Sequence, residues 1–578
     1  MTSPGWLAVA LCATTGVALG QDPTAAVPVA ARTVRCAGQV IRRIDFDVDY
    51  PITRLDLARV PSLKRLQRKV HQPTRPEVVR AFLLLAEGDR CDEARRAESE
   101  RLLRAQTFIA QARVSVLDAG DGGVVLVVNV VDEFAVPLDV QAATTSPYVR
   151  RFGTGSSNLD GRGITLVAGW RTGLGYRDEY SLLAKSYALR GRPLQVTATG
   201  TLRTLGGDWL LDVARPFITD YQRVAWRVSV GQADGYLPFA RPDTEPVSLG
   251  LRRITADAGV IARVGPPGKL FLYGASLSRE LLEPSSNPVD LRPTGPVPDT
   301  TTALAGRYTR YDARRVNLLA GIRRVQFFNV SGFDVLEGTQ DVRTGVQAGL
   351  VVGRGLRALG ATEADLLLST DLFVGTGDAL LYSMVDARWQ AQRHERDANW
   401  DEVMWDAAAT TYWRHSSNRT LIVTATWAGG YRNSAPFQLT LGDPVGGLRG
   451  FVNSRQAGGE RFVLRAEDRW YLGRISTLAA VGLAPFAGVG VMTARDAPFG
   501  ATTHPAAAIG LSLLAAVPPP SRRLFRLDLT LRLTPDGVSP VFSIATSGAD
   551  VARMGFREPA DILRSRARAI APSVFNWP

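Results

Sequence analysis

From about residue 136 to residue 546 the chain repeats short segments, each roughly eight to twelve residues long, in which apolar and polar side chains alternate. Leu527, Leu529, Leu531 and Leu533 interleave with Arg526, Asp528, Thr530 and Arg532. Val224, Trp226, Val228 and Val230 interleave with Arg223, Arg227 and Ser229, and Leu421, Val423, Ala425 and Trp427 with Thr420, Thr424 and Thr426. A period of two is that of a strand with one apolar and one polar face. Gly, Pro, Asp and Asn separate the segments, as turns require. A water-soluble sandwich also alternates. What separates the cases is the number of segments and the aromatic residues near their ends, Trp170, Trp226, Trp427, Trp470 and Tyr471. Apolar-out, polar-in strands with aromatic girdles describe an all-β transmembrane barrel. Counting segments predicts an even total of about 16 antiparallel strands, eighteen at most, with about five after residue 451.

The pattern before residue 136 is different. Residues 34–133 read as a small α/β domain. Ile44, Phe46 and Val48 alternate with Arg43, Asp45 and Asp47 as a half-buried strand. Thr74 with Glu77 forms a capping box for a helix through Val78, Phe82 and Leu85, which Gly88 closes. A second helix, about 92–105, carries Arg95, Arg96, Glu98, Glu100, Arg101 and Arg104, which predicts a solvated face. Strands follow at about 108–117 and 123–131, joined by the turn-rich stretch 118–123.

Residues 1–20 read as a signal peptide. An apolar and small-residue run from Trp6 to Gly20 ends in Ala18-Leu19-Gly20, although no Lys or Arg precedes it. No other stretch reaches the eighteen or so apolar residues of a membrane helix, so a membrane location requires a closed barrel. Export leaves Cys36 and Cys91, which pair as one disulfide or stay as two buried thiols; spacing alone does not decide.

Charge and candidate chemistry narrow the picture further. Formal net charge is +13, but the arginines are spread through strands and not clustered with aromatic platforms, which argues against nucleic acid. His71, His394, His415 and His504 are scattered without ligand spacing, so no metal is expected. Gly265-Pro266-Pro267-Gly268-Lys269 is too short for a phosphate loop, and Leu270 stands where Ser or Thr is needed. No nucleophile elbow or zinc helix occurs. The expectation is a protein without enzymatic activity and without a cofactor.

The most distinctive stretch is Leu441-Gly442-Asp443-Pro444-Val445-Gly446-Gly447-Leu448-Arg449-Gly450-Phe451, a glycine-rich loop between two strands. Its functional core is Gly447, Leu448, Arg449, Gly450 and Phe451. An α/β domain with this order, a barrel of this size and Gly-Gly-Leu-Arg-Gly-Phe five strands from the end resemble the BamA/TamA superfamily, the bacterial surface antigen proteins. The α/β domain resembles their periplasmic POTRA module, of which only one fits between signal and barrel here. The resemblance implies that the loop folds into the lumen and that Arg449 meets an acid on the wall. Val463 to Tyr471 matches the family's strand after the loop, and alternation puts Arg465, Glu467 and Arg469 on the lumen face. Glu467 is therefore the expected partner of Arg449. The family's second acid is missing, because Phe486-Ala487-Gly488-Val489-Gly490 has glycine in its place; the clamp is then simpler, or completed by a residue such as Asp468.

The same resemblance implies an outer-membrane assembly, insertion or translocation factor that opens at the seam between first and last strands. Its partners would be the lipid bilayer, unfolded outer-membrane protein clients and periplasmic accessory proteins. The alternatives are a two-partner-type secretion pore and a passive, porin-like barrel. Residues 547–578 extend past the barrel as a basic periplasmic tail, either docked through Trp577 or loosely held.

Overall fold

The structure, a computed structural model, describes residues 32–49 and 71–546 apart from 135, 144–148, 173–177, 190, 242–243, 301–302, 396–398, 444, 452–453, 476–477 and 536. The expected signal peptide and tail lie outside the described residues.

The N-terminal module contains β1 (Ala37–Asp49), α1 (Pro76–Arg80), β2 (Arg90–Asp92), α2 (Glu93–Arg104), β3 (Ile109–Asp118) and β4 (Val124–Asp132). Its sheet runs β2-β1-β4-β3, with β1 parallel to β4 and β3 antiparallel to it. Ile41, Ile44, Phe82, Leu102, Leu103, Val114 and Val128 form the core between sheet and helices. Cys36 and Cys91 are joined in a disulfide with Cα atoms 5.1 Å apart.

Two local expectations are corrected. Thr74 does not cap α1: Pro76 starts that helix with Arg75 at the cap position, and the Thr74 hydroxyl donates to the buried Asp132 carboxylate at 2.6 Å instead of accepting from a helix N–H. Nor is α2 a solvated face. Asp92 caps it by accepting from the Arg95 N–H, but its last turn buries Arg101 and Arg104. Arg104 donates to Asp341 of the barrel at 2.6 and 2.8 Å. Arg101 donates to Ile218 O and lies 4.4 Å over the Phe327 ring.

From β5 to β27 the described residues form one closed antiparallel ring. Its first strands are β5 (Asp139–Ala143), β6 (Val149–Ser156), β7 (Ile164–Thr172), β8 (Asp178–Ser186), β9 (Gln195–Arg203) and β10 (Gly206–Arg215). Then come β11 (Val224–Phe239), β12 (Val247–Val264), β13 (Leu270–Arg292), β14 (Gly295–Pro298), β15 (Tyr311–Val330) and β16 (Gln340–Gly355). The third group is β17 (Leu366–Gly377), β18 (Leu381–Arg393), β19 (Trp400–Ser416) and β20 (Arg419–Tyr431). After a loop holding β21 (Leu439–Thr440) and β22 (Ala457–Gly458), the ring ends with β23 (Glu460–Ile475), β24 (Ala479–Thr493), β25 (Ala506–Ala516), β26 (Leu524–Thr534) and β27 (Gly537–Thr546).

The ring has 20 strands, not about 16; β14 only extends the hairpin of β13, and β21 pairs β22 apart from the wall. Five strands follow the glycine-rich loop, so the shortfall lies before it. There the early strands are short and rich in Gly, Thr and Ala, as in VRRFGTGS of β6 and QVTATGTLR of β9. Such strands carry a thin apolar alternation, because backbone pairing with neighbours supplies what side chains do not.

The wall is inside-out relative to a water-soluble fold. Leu277, Leu318, Leu372, Trp413, Trp427 and Leu529 project outward and are exposed, Leu318 to 65%. Arg315, Asn317, Arg323, Gln347, Asp406 and Arg461 are buried on the inner face. That distribution suits a barrel surrounded by hydrocarbon. No helix among the described residues is long and apolar enough to cross a membrane.

The module sits under one end of the ring, where β5 begins. Turns at that end hold it: Asn158 donates to Thr74 at 2.6 Å, Phe108 packs 5.7 Å from Tyr187, Thr219 donates to Glu98, and Ser521 donates to Glu133 at 2.8 Å. Side chains of α2 also cover the outer edge of β3. Glu100 accepts from the Val114 N–H at 3.0 Å, Arg96 donates to Val114 O at 2.8 Å, and Arg104 bonds Glu100 as well as Asp341. Burial pushes the Glu100 carboxyl upward, but the Val114 N–H, Arg104 and Arg96 outweigh it and hold it below the ordinary range. A lowered carboxyl stabilises the fold above its unfolded pKa, about 4.3, and that stabilisation fades as pH falls through the folded value. Exchange of the Val114 amide, corrected for intrinsic rate, is therefore expected to accelerate below about pH 4; a flat profile would contradict the bond's assigned weight. Arg104→Ala leaves Asp341 and Glu100 short of a cation, a loss on the order of 3 kcal/mol. It should speed proteolysis between module and barrel.

Candidate functional site

The loop from residue 432 to 459 leaves β20 at the end remote from the module and turns back inside the ring. Apolar residues anchor it: Phe437, Leu439, Leu441, Leu448 and Phe451 pack against inward side chains Met404, Val463, Met492 and Ala508. Backbone bonds fold the tip, with Leu448 N–H donating to Leu441 O at 2.8 Å and Gly447 N–H to Asp443 O at 3.1 Å. Glycine is required at two of the singled-out positions. A Cβ on Gly447 would stand 2.2 Å from Asp443 O, and Gly450, at φ +81°, lies against Thr530 of β26.

One residue that the pattern did not single out holds the loop's backbone. Arg461, on the inner face of β23, is buried and donates to Thr440 O at 2.6 Å and Val445 O at 3.0 Å, with the Asp443 carboxylate 3.6 Å away. Its place on a strand, one residue after Glu460, marks it only as a polar inward position.

At the tip, Arg449 Nη2 donates to Glu467 Oε2 at 2.5 Å, and its guanidinium lies 4.6 Å from the Phe486 ring centroid. Glu467 serves two further cations. Arg469 Nε donates to Oε1 at 2.6 Å, and Arg526 of β26 spans both oxygens at 3.0 and 3.2 Å. The second acid considered from sequence, Asp468, is not in this cluster. Alternation turns it to the other face of β23, where it accepts from Trp470 Nε1 at 2.5 Å and lies 3.1 Å from His415. Gly488 lies beside Leu448, and a Cβ there would come within 2.9 Å of Leu448 Cδ1. Glu467 stands among three guanidinium groups, and Asp528 lies 3.6 Å from Arg526 at the edge of the cluster.

A second loop reaches the same cluster from the module end. Residues 331–339, between β15 and β16, turn inward with Phe333, Val335 and Leu336 buried. Phe333 stacks on Tyr412 at 4.8 Å, and the Tyr412 hydroxyl donates to Asp334 Oδ1 at 2.7 Å. Arg469 Nη1 donates to the carbonyls of Phe333 and Asp334 at 2.8 and 2.9 Å. Arg469 thus bonds the inward loop of the module end and the acid that holds the loop of the opposite end. Among the described residues no group of three or more His, Cys, Asp or Glu could hold a metal ion.

Glu467→Gln removes the buried charge shared by three half-buried cations, whereas Arg449→Ala removes one of three partners. The first is expected to destabilise the barrel by about 3–5 kcal/mol and the second by less. Heat-modifiability on gels should fall in that order, and the reverse order would refute the shared-acid account.

No protein-family model matches the chain, and no curated protein does. Solved structures show a likeness at low identity. BamA from Haemophilus ducreyi lacking POTRA domains 1–3 is 10% identical, with 88% of this chain and 84% of that one covered at a TM-score of 0.36. CdiB from Escherichia coli is 11% identical, with 88% and 76% covered at 0.42. CdiB from Acinetobacter baumannii is 11% identical, with 88% and 74% covered at 0.37.

Proposed function

We propose that this chain is an outer-membrane barrel of the BamA/TamA type that inserts or translocates other outer-membrane proteins, receiving an unfolded client strand at the junction of β5 and β27. The observation that carries this reading is the junction itself. Among the described residues only Gln141 with Ala545, Ala142 with Ile544 and Ala143 with Ser543 are in register there. β5 and β6 share four pairs, and ladders farther from the junction are longer: β11 and β12 run in register from Val224–Ala262 to Phe239–Val247. A short ladder between two strand edges is where an incoming strand displaces the least pairing and gains the most.

The inside-out wall supports a bilayer setting, and the disulfide supports an oxidising compartment for the module. Module, residue 546 and the β5 start then face the periplasm. The covered β3 edge bears on how clients arrive. A segment adding at the β3 edge of the module's sheet would first have to displace Arg96 and Glu100, which favours the junction over that edge. Work of this kind is done by geometry, with no covalent step. Arg469 bonds the 331–339 loop and Glu467, the acid that holds Arg449 of the opposite loop, so loops from both ends are fastened to the same stretch of wall.

Reconstituted full-length protein should accelerate folding of a small barrel client into liposomes over empty liposomes. Ala142→Cys with Ile544→Cys, oxidised across the junction, should abolish the acceleration, and reductant should restore it relative to wild type treated alike. Undiminished acceleration by the locked protein would remove the junction from the mechanism. No acceleration by wild type would remove the insertase reading.

A further inference from the structure

The clamp leaves donors over. Both Glu467 oxygens are taken, Oε2 by Arg449 and Arg526 and Oε1 by Arg469 and Arg526. Arg449 Nη1 is buried without a hydrogen-bond partner. Arg465 stands on the same inward face of β23, two positions before Glu467, and no described residue hydrogen-bonds or ion-pairs with its guanidinium. Both arginines line one cavity of about 210 Å³, together with Thr410, Thr424, Leu448 and Phe486. The acids bordering it are already engaged, Glu467 by its three cations and Asp334 by the Tyr412 hydroxyl. The wall at Gly488 adds no side chain, and a Cβ there would crowd Leu448 and stand 3.3 Å from Arg465 Cγ.

We propose that this cavity binds a small oxyanion of the phosphate or sulfate class between Arg449 and Arg465. A guanidinium presents parallel N–H donors that match two oxygens of a tetrahedral anion, and removal from bulk water strengthens the attraction. Buried donors gain most from such a partner because nothing else satisfies them. The cavity volume admits a free oxyanion with room for a few waters. A lipid phosphate would have to cross a hydrogen-bonded wall to reach it. The anion would steady the loop tip by accepting from Arg449 Nη1, the donor that Glu467 does not reach.

The test uses the full-length protein in phosphate-free detergent, titrated with inorganic phosphate or sulfate at ionic strength held constant with chloride. Saturable heat release and a rising unfolding midpoint are expected with both oxyanions. Arg465→Gln should weaken phosphate binding at least tenfold, and Arg465→Lys, which keeps the charge but loses the fork, at least threefold. Should the Gln variant not fold, the Lys variant carries the comparison. Selenate in crystals should give its anomalous peak between Arg449 and Arg465. No saturable response, equal affinity in the Lys variant and wild type, or a selenate peak elsewhere would overturn the site. So would a response to phosphorylated lipid without one to inorganic phosphate. No client is involved, so these results stand apart from the insertion assay.

Discussion

A single carboxylate, that of Glu467, holds side chains from three parts of the chain at one point of the wall. It holds Arg449 from the loop after β20, Arg469 from its own strand and Arg526 from β26. In water each pair would contribute little, but inside a closed wall the cations have few other partners. The apolar contacts of Leu441, Leu448 and Phe451 bring the loop to the wall. They are non-directional, and the charge cluster then sets where along the wall the tip stops. Arg461 does the complementary work on the backbone, binding two carbonyls that the fold of the loop would otherwise bury unpaired.

Charge also sets the join between module and barrel. Arg104 lies between Glu100 of its own helix and Asp341 at the start of β16, immediately after the inward loop 331–339. The same helix therefore covers a sheet edge on one side and grips the base of a lumen loop on the other. Movement of α2 cannot leave both unchanged.

Local pattern made the wall legible because a strand's period is written in adjacent residues. The segments at 224–230, 421–427 and 527–533 are strands with the expected faces outward. The same parity argument placed Glu467 inward and, applied once more, would have set Asp468 outward. What stayed illegible was pairing at a distance. Asp341 is remote in sequence from Arg104, so a helix rich in arginine looked solvated when its last turn is buried. Arg526 reads as one polar position of a leucine-rich strand, and only the curvature of the wall across β24 and β25 brings β26 to β23's acid. The stretch Ser331 to Thr339 has the composition of any turn, and its inward course follows from Tyr412 and Leu336's partners on other strands. Strand number suffered for the opposite reason: the early strands depend on neighbours, so their own residues announce them weakly.

An even ring returns the chain to the face it started from. Residues 133 and 546 therefore flank the same compartment, and no stretch between them is required to remain on the far side except hairpin tips. Threading such a wall into lipid means pushing loops across, never an end of the polypeptide. The heaviest passenger is the 432–459 excursion, which carries Asp443, Arg449 and Arg455 through hydrocarbon before Arg461 and Glu467 can receive it. Transit of that one loop is where biogenesis of this barrel should hesitate longest.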